Sequence, residues 1–202
     1  MKRVLWDVDT QVDFVHADGK LAVPGAEAVV PAMARLVEAA RTAGLPHVAS
    51  ADDHELSDAE ISAEPDFALT YPPHCLRGTP GAEKVTATSQ HDPVPLALTP
   101  VDATWIAGRE FLLLKKHFDV FTNPHADVLL DLLDPGEIVL FGVATDVCDD
   151  AAIRGLVHRG RTVTFVADAS SGLDAARSAA CIEDWRAHGV RVATTDEVLA
   201  EW

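Results

Sequence analysis

Short apolar runs alternate along this chain with longer segments whose apolar residues recur at helical spacing. The runs are rich in Val, Leu, Ile and Phe and are bounded by Gly, Pro or polar residues, which is typical of buried strands. They predict strands over Arg3–Val8, Pro46–Ser50, Trp105–Ala107, Phe111–Lys115, Ile138–Phe141, Thr162–Ala167 and Val190–Thr194. The helical spacing predicts helices over Ala26–Thr42, His125–Leu133, Asp146–Gly160, Leu173–His188 and Asp196–Trp202.

Strands that alternate with helices predict an α/β fold, because parallel strands need crossover helices that cover the sheet. We therefore expect a Rossmann-like three-layer sandwich with a central, mostly parallel sheet and helices on both faces. No repeat or linker interrupts the pattern, so we expect a single domain over residues 1–202. The polar, Pro-containing stretch 51–100 has no clear period, and long loops in compact domains are usually functional. We expect this loop to cover the active-site edge of the sheet.

Charge and cysteine usage narrow the classes of function. The formal net charge of -16 repels phosphate backbones and anionic membranes, so we expect neither nucleic acid nor a membrane as a partner. The three cysteines are widely spaced and include no CxxC pair, which argues against a disulfide framework. The first residues begin a strand directly and contain no apolar leader segment, so we expect a cytoplasmic protein.

The segment IVLFGVATDVC, residues 138–148, predicts a strand, a tight turn and the start of a helix. It places Cys148 at the carboxyl end of a strand, the edge at which open α/β sheets bind ligands. If Thr145 or Asp146 caps the helix, the backbone N–H groups and the helix dipole favour a thiolate there. The alternative is a small buried cysteine that packs the helix onto the sheet.

Two further residues follow predicted strands and could assist a thiol nucleophile. Asp9 follows the first strand, where a carboxylate could transfer protons for Cys148, although it could equally be a solvated acidic residue. Lys115 ends the leucine-rich strand and could supply a cation to the thiol and to Asp9. The alternative for Lys115 is a surface lysine.

A possible metal site follows the second predicted strand. Asp52 and His54 are two residues apart on an extended segment, so their side chains point the same way. His74, in the long loop, could supply a third ligand. A carboxylate with two imidazoles suits zinc, iron or manganese. The alternative is a set of loop residues that bind nothing.

Five segments together resemble the cysteine hydrolase family that contains nicotinamidases and isochorismatases. They occur in the family's order and span most of the chain: DTQVDF, LAVPGAE, YPPHCLRGTPGAE, KKHFDVFTNP and GVATDVC. The segment with His74 closely resembles the corresponding loop of nicotinamidases, and the segment with Cys148 resembles the family's nucleophile turn.

The resemblance implies a role for each matching residue. Asp9, Lys115 and Cys148 match the catalytic triad. The Val143–Ala144 bond matches a cis peptide that shapes an oxyanion hole formed by the N–H groups of Ala144 and Cys148. The remaining matches are the metal ligands Asp52, His54 and His74, and the aromatic residues Phe14 and Tyr71 on either side of the substrate ring.

The implied activity is hydrolysis of a small carboxamide, with nicotinamide as the best candidate, through a thioester on Cys148. The resemblance also implies a divalent metal, with zinc first and iron or manganese as alternatives, and a homo-oligomer. The same fold could instead hydrolyse another small amide, a ureido compound or an isochorismate-like substrate, or serve as a non-catalytic binding protein. Asp53, Glu55 and Tyr71 depart from common nicotinamidase residues, which predicts a more acidic and less aromatic pocket.

Overall fold

A computed structural model describes residues 2–99 and 108–202. Its strands form one parallel sheet of seven, in the order β3-β4-β2-β1-β5-β6-β7. The strands are β1 (Arg3–Val8), β2 (His47–Asp52), β3 (Val94–Leu96), β4 (Glu110–Lys115), β5 (Glu137–Gly142), β6 (Val163–Val166) and β7 (Arg191–Ala193). The predicted α/β sandwich with a parallel central sheet is confirmed.

The α-helices are α1 (Val12–Val15), α2 (Ala26–Thr42), α3 (His125–Leu133), α4 (Cys148–His158), α5 (Ala175–Ala187) and α6 (Thr195–Leu199). Short 3₁₀ turns lie at Pro80–Ala82, Thr86–Thr88, Val120–Thr122 and Ala167–Ala169. The bounds of α2 and α3 agree with the predicted ones, since both helices end where Gly44 and the Asp134-Pro135 pair interrupt the pattern. No helix in the described ranges is long and apolar enough to cross a membrane.

Each face of the sheet buries its own apolar core. Leu129 of α3, Ile153 of α4 and Trp185 of α5 pack on one face against residues such as Trp6. Met33 of α2 packs on the other face, together with apolar residues of α6. Strands covered on both faces are apolar on both sides, which explains why β1 and β5 read as continuous apolar runs rather than as alternating patterns.

The long loop is more structured than the sequence predicts. Val94–Leu96 forms the edge strand β3, which pairs with β4, so the prediction of no strand over residues 51–100 is wrong there. Three residues that include a proline carry too little pattern to be recognised, and proline is accepted here because β3 is an edge strand. The predicted strand Trp105–Ala107 lies outside the described residues.

The sheet brings the polar residues of the sequence motifs to one edge. β1 pairs with β2 on one side and with β5 on the other, so the chain changes direction across the sheet at β1. Ligands of open α/β sheets bind at such a switch point, outside the carboxyl ends of the strands. Asp9, Asp52, Lys115 and Cys148 all lie at these ends.

Candidate active site

Asp9, Lys115 and Cys148 meet at the carboxyl edge although they are far apart in sequence. Asp9 directly follows β1, Lys115 is the last residue of β4 and Cys148 is the first residue of α4. The Lys115 Nζ lies 2.8 Å from Asp9 Oδ2 and 3.7 Å from Cys148 Sγ. Asp9 and Lys115 are fully buried, and Cys148 is open only to the adjoining pocket. The arrangement holds a thiol, a carboxylate and a cation in mutual contact away from bulk water.

Burial dominates the electrostatics of this group. It raises the pKa of the Cys148 thiol well above its usual value; Lys115 lowers that pKa, but Asp9 and Asp52 raise it further. Burial also raises the pKa of Asp9, with Lys115 opposing. The pKa of Lys115 is raised well above its usual value, because the attraction of Asp52 and Asp9 outweighs the penalty of burial. The thiol thus lies beside two carboxylates that oppose its ionisation and a lysine that favours it.

The helix start differs from the expectation of a capped helix that stabilises a thiolate. The N-cap of α4 is Val147, which has no side-chain cap, so neither Thr145 nor Asp146 caps the helix. Asp146 instead accepts hydrogen bonds from the backbone N–H groups of Leu173 and Asp174, at the start of α5. The expected cap is therefore wrong, whereas Lys115, the expected cation, lies 3.7 Å from Cys148 Sγ.

The turn before Cys148 presents two backbone donors to the pocket. The Val143–Ala144 peptide bond is cis. Within the described residues, neither the Ala144 N–H nor the Cys148 N–H donates to a backbone or side-chain acceptor, and both residues line the pocket. Two free N–H groups beside a nucleophile can stabilise an oxyanion.

Asp52, His54 and His74 form a compact group of possible metal ligands. Their ligand atoms all lie within 4.8 Å of one another. Asp52 Oδ2 is 3.6 Å from His54 Nε2 and 3.5 Å from His74 Nε2. Tetrahedral zinc with bonds of about 2.1 Å separates its ligands by about 3.4 Å, so these spacings suit a shared ion. Asp53 points elsewhere, as its place in the extended segment predicts.

The hydrogen bonds of the two histidines fit a metal as well. The His74 Nδ1 lies 2.7 Å from the Pro72 carbonyl, which can only accept, so Nδ1 carries the proton and Nε2 keeps its lone pair. His54 Nδ1 lies 3.4 Å from the Asp58 carboxylate, and its buried Nε2 has no hydrogen-bond partner within the described residues although it faces Asp52 at 3.6 Å. Metal-binding histidines show this pattern, in which the outer nitrogen donates and the inner one binds the ion.

A cleft runs from Asp52 and His74 to Cys148. Phe14 and Tyr71 both line it, and the other lining residues are Leu21, Val23, Asp52, Glu60, His74, Phe118, Ala144, Val147, Cys148 and Leu173. The ring of His74 lies 5.2 Å from that of Phe14 and 6.3 Å from that of Tyr71. The cleft therefore offers aromatic and aliphatic walls with the thiol and the possible metal ligands along it.

Glu60 is a charged pocket residue that the sequence shows only as one member of the acidic loop cluster Asp58–Glu64, any of whose carboxylates could reach a metal. It is buried, and its Oε2 lies 3.8 Å from His54 Nε2 without a hydrogen-bond partner in the described ranges. Burial raises the pKa of this carboxyl, and Asp52 raises it further. In the sequence Glu60 lies in a polar loop, where a carboxylate normally faces solvent, so only the folding of that loop over the pocket reveals it.

The predicted source of the pocket's acidity is wrong. Asp53 and Glu55 do not line the pocket but pair with Arg77, whose guanidinium lies 2.5 Å from Asp53 and 2.6 Å from Glu55. This ion-paired group joins the segment that carries His54 to the segment that follows His74. Two backbone hydrogen bonds join the same segments: His54 N–H donates to Cys75 O, and Arg77 N–H donates to His54 O.

Comparisons with known proteins agree with this geometry. A family profile described as the isochorismatase domain matches residues 4–197. A nicotinamidase/pyrazinamidase of Mycobacterium tuberculosis is 28% identical over 193 residues, which cover 94% of this chain and 97% of that protein. The structure of a pyrazinamidase of Pyrococcus horikoshii in complex with zinc matches with a TM-score of 0.77 at 22% identity, covering 96% of this chain and 99% of that one. An N-carbamoylsarcosine amidase from Thermoplasma acidophilum matches with a TM-score of 0.74 at 24% identity, covering 97% and 98%.

The fold and the convergence of a buried thiol, carboxylate and lysine define a cysteine hydrolase of the α/β class. The chain belongs to the isochorismatase family, since the family profile covers nearly its whole length.

Proposed function

We propose that this protein is an amidohydrolase that cleaves a small neutral carboxamide, with nicotinamide as the best candidate, to a carboxylate and ammonia. The observation that carries this proposal is the single cleft that joins Cys148, two free backbone N–H groups and the Asp-His-His group. The similarity of this chain to the nicotinamidase/pyrazinamidase of M. tuberculosis supports the same substrate class.

In the proposed mechanism, Asp9 takes the proton of the Cys148 thiol as the sulfur attacks the amide carbonyl. The N–H groups of Ala144 and Cys148 donate to the resulting oxyanion, each contributing about 3 kcal/mol in comparable sites. Asp9 then gives the proton to the departing ammonia. Water hydrolyses the thioester, with Asp9 as the general base. Lys115 holds Asp9 in place and offsets the negative charge of the thiolate.

The metal has a binding role in this proposal. Asp52, His54 and His74 would hold a divalent ion, for which zinc is the first candidate, and such an ion would bind a pyridine nitrogen. Phe14 and Tyr71 pack against the substrate ring from the pocket walls. These residues position the amide against the thiol. The groups that act on the reacting atoms are the Cys148 thiol, the Asp9 carboxylate and the N–H groups of Ala144 and Cys148.

The charges of the cleft favour a neutral amide over an anionic substrate. Asp52 and Glu60 line it, and no Lys or Arg does so among the described residues. Lys115 lies beneath the cleft and is already paired with two carboxylates. Apart from a bound metal, the cleft thus offers no cation to a substrate carboxylate, and unpaired buried charges are costly. N-Carbamoyl amino acids and isochorismate-like compounds both carry carboxylates, so we rank them second.

The test is ammonia release from nicotinamide and from N-carbamoylsarcosine by zinc-loaded protein. We expect release from nicotinamide by the wild type, and its loss in Cys148→Ala. Cys181→Ala is the matched control, because Cys181 lies on α5 away from the cleft, and it should retain activity. Activity retained by Cys148→Ala would overturn the mechanism. Release from N-carbamoylsarcosine alone would overturn the substrate, and no release from any amide would favour a binding protein.

A further inference from the structure

A second buried ionic cluster lies beside the catalytic edge and has no part in the mechanism above. Asp7 is fully buried on β1, two residues before Asp9. Its Oδ2 lies 2.8 Å from Lys84 Nζ and 3.4 Å from His47 Nε2. Lys84 is nearly buried and comes from the long loop. Burying these charges costs free energy of desolvation, so a cluster of this kind points to a role beyond stability.

The hydroxyl of Thr10 joins this cluster to the residue that follows Asp9. Thr10 Oγ1 donates to Asp7 Oδ1 at 2.8 Å and accepts from Lys84 Nζ at 2.8 Å. Thr88 Oγ1 lies 2.5 Å away and donates to the remaining lone pair. A hydroxyl has one donor and two acceptor sites, so all three are used. Thr10 is therefore held in one orientation by three side chains.

The backbone next to Thr10 has an unusual conformation at Asp9. Asp9 has a φ of 50°, in the left-handed region that a residue with a side chain rarely adopts. Such conformations cost about 1–3 kcal/mol and persist only when the surroundings enforce them. Ser50 holds Asp9 itself, because the Asp9 N–H donates to Ser50 O and the Ser50 hydroxyl donates to Asp9 Oδ1. The next residue in the chain after Asp9 is Thr10.

The loop that carries Lys84 also pairs with the residues after the turn. The Val85 N–H donates to Thr10 O, and the Val12 N–H donates to Glu83 O. Gln11 and Lys84 thus form an antiparallel bridge. The side-chain cluster and this bridge share Thr10 and Lys84, and together they leave the turn at Asp9 little freedom.

We propose that Thr10, together with Lys84 and Asp7, is a positioning residue that fixes the left-handed turn at Asp9 and so places its carboxylate against Lys115 and Cys148. This inference rests on the proposed function in that Asp9 is the proton carrier. The cluster touches neither the cleft nor the metal ligands. It therefore affects proton transfer rather than substrate binding.

Thr10→Val tests the proposal, because it removes the hydroxyl and keeps the shape and the Asp7–Lys84 pair. We expect kcat to fall about 10- to 100-fold with KM unchanged, the scale of loss for a catalytic group displaced by about 1 Å. Thr10→Ser keeps the hydroxyl and should restore kcat. Thr164→Val is the matched control, because Thr164 makes an equally buried 2.7 Å hydrogen bond to Glu137 at the amino end of β5, away from the site. It should lower stability without changing kcat.

Alkylation of Cys148 by iodoacetamide separates this inference from the proposed function, since it needs no substrate. An alkylation rate that differs from the wild type in Thr10→Val and returns to the wild-type value in Thr10→Ser supports the positioning role even if no amide is hydrolysed. If Thr10→Val does not fold, Lys84→Met removes the same link and should show the same pattern. A Thr10→Val protein that keeps wild-type kcat and alkylation rate, or that loses no more than Thr164→Val, overturns the proposal.

Discussion

Asp149 provides the sharpest test of the electrostatics described above. It follows Cys148 in the first turn of α4, is fully buried, and neither of its carboxylate oxygens has a hydrogen-bond partner in the described ranges. Burial raises the pKa of this carboxyl well above its usual value, Asp9 and Asp7 raise it further, and the Thr145 hydroxyl offsets little of this. We therefore expect Asp149→Val to stabilise the protein at neutral pH.

The gain can be estimated from the environment of the carboxyl. A buried polar group without a partner costs about 1–3 kcal/mol, and more when it is charged. The dipole of α4 favours a negative charge at this end, but by less than about 1 kcal/mol at most sites. We expect a net gain of about 2 kcal/mol at pH 7. For a domain of this size that gain raises Tm by about 4–8 °C.

The gain should depend on pH in a definite direction. Because the folded pKa is raised, the native carboxyl keeps a proton over a pH range in which the unfolded one has lost it. The contribution of Asp149 to the stability of the wild type therefore falls as pH rises above about 3.8, by up to about 1.4 kcal/mol per pH unit. Asp149→Val lacks this dependence on pH, so the amount by which its free energy of unfolding exceeds that of the wild type should grow as pH rises.

Guanidinium unfolding of chelator-treated protein at pH 5, 6 and 7 measures the effect. Glu38→Gln is the control, because Glu38 is an exposed acid on α2 and its removal should change stability by less than about 0.5 kcal/mol. An Asp149→Val protein that is less stable than the wild type, or whose advantage does not grow with pH, would refute the reasoning.

Three further predictions concern other charged groups. Lys115→Met leaves two carboxylates buried without their cation, so the free energy of unfolding should fall by about 3–5 kcal/mol in guanidinium titrations; a loss below about 1 kcal/mol would contradict the pairing. Arg77→Ala loosens the two ligand-bearing segments, so zinc affinity, measured by competition with a chromophoric chelator, should fall about tenfold. Arg154→Ala removes a similarly exposed arginine paired with two acids elsewhere and should leave zinc affinity unchanged. Burial raises the pKa of Asp7, but Lys84 and His47 lower it below its usual value, so the destabilisation caused by Asp7→Asn should be large at pH 6 and shrink as pH falls below about 3.8; an equal loss at pH 6 and pH 3 would disprove this.

The sequence predicts the candidate site well where one motif supplies both a residue and its place in the fold. Asp9, Lys115 and Cys148 each follow an apolar run, so the parallel arrangement of the strands is enough to bring them to one edge. Asp52 and His54 share a side because they are two residues apart. Their roles in catalysis and metal binding remain predictions that the experiments above address.

The sequence predicts less where the outcome depends on which loop folds over which. Glu60 looks like a solvated loop residue and lies in the cleft, whereas Asp53 and Glu55 look like pocket residues and pair with Arg77 outside it. The cap of α4 was also mispredicted, because a helix start is visible in the sequence but its exact first residue is not.

The sequence by itself determined the α/β fold, the bounds of most strands and helices, and the residues that meet at the carboxyl edge, because periodicity and parallel topology are local or nearly local properties. Tertiary structure alone decided the edge strand β3, the lining of the cleft, the direction of the pKa shifts and the cluster of Asp7, Thr10 and Lys84. The cleft lining, the pKa shifts and this cluster depend on burial and on contacts between residues far apart in sequence, such as Thr10 and Lys84, which are 74 positions apart, and the three residues of β3 are too few to show a pattern.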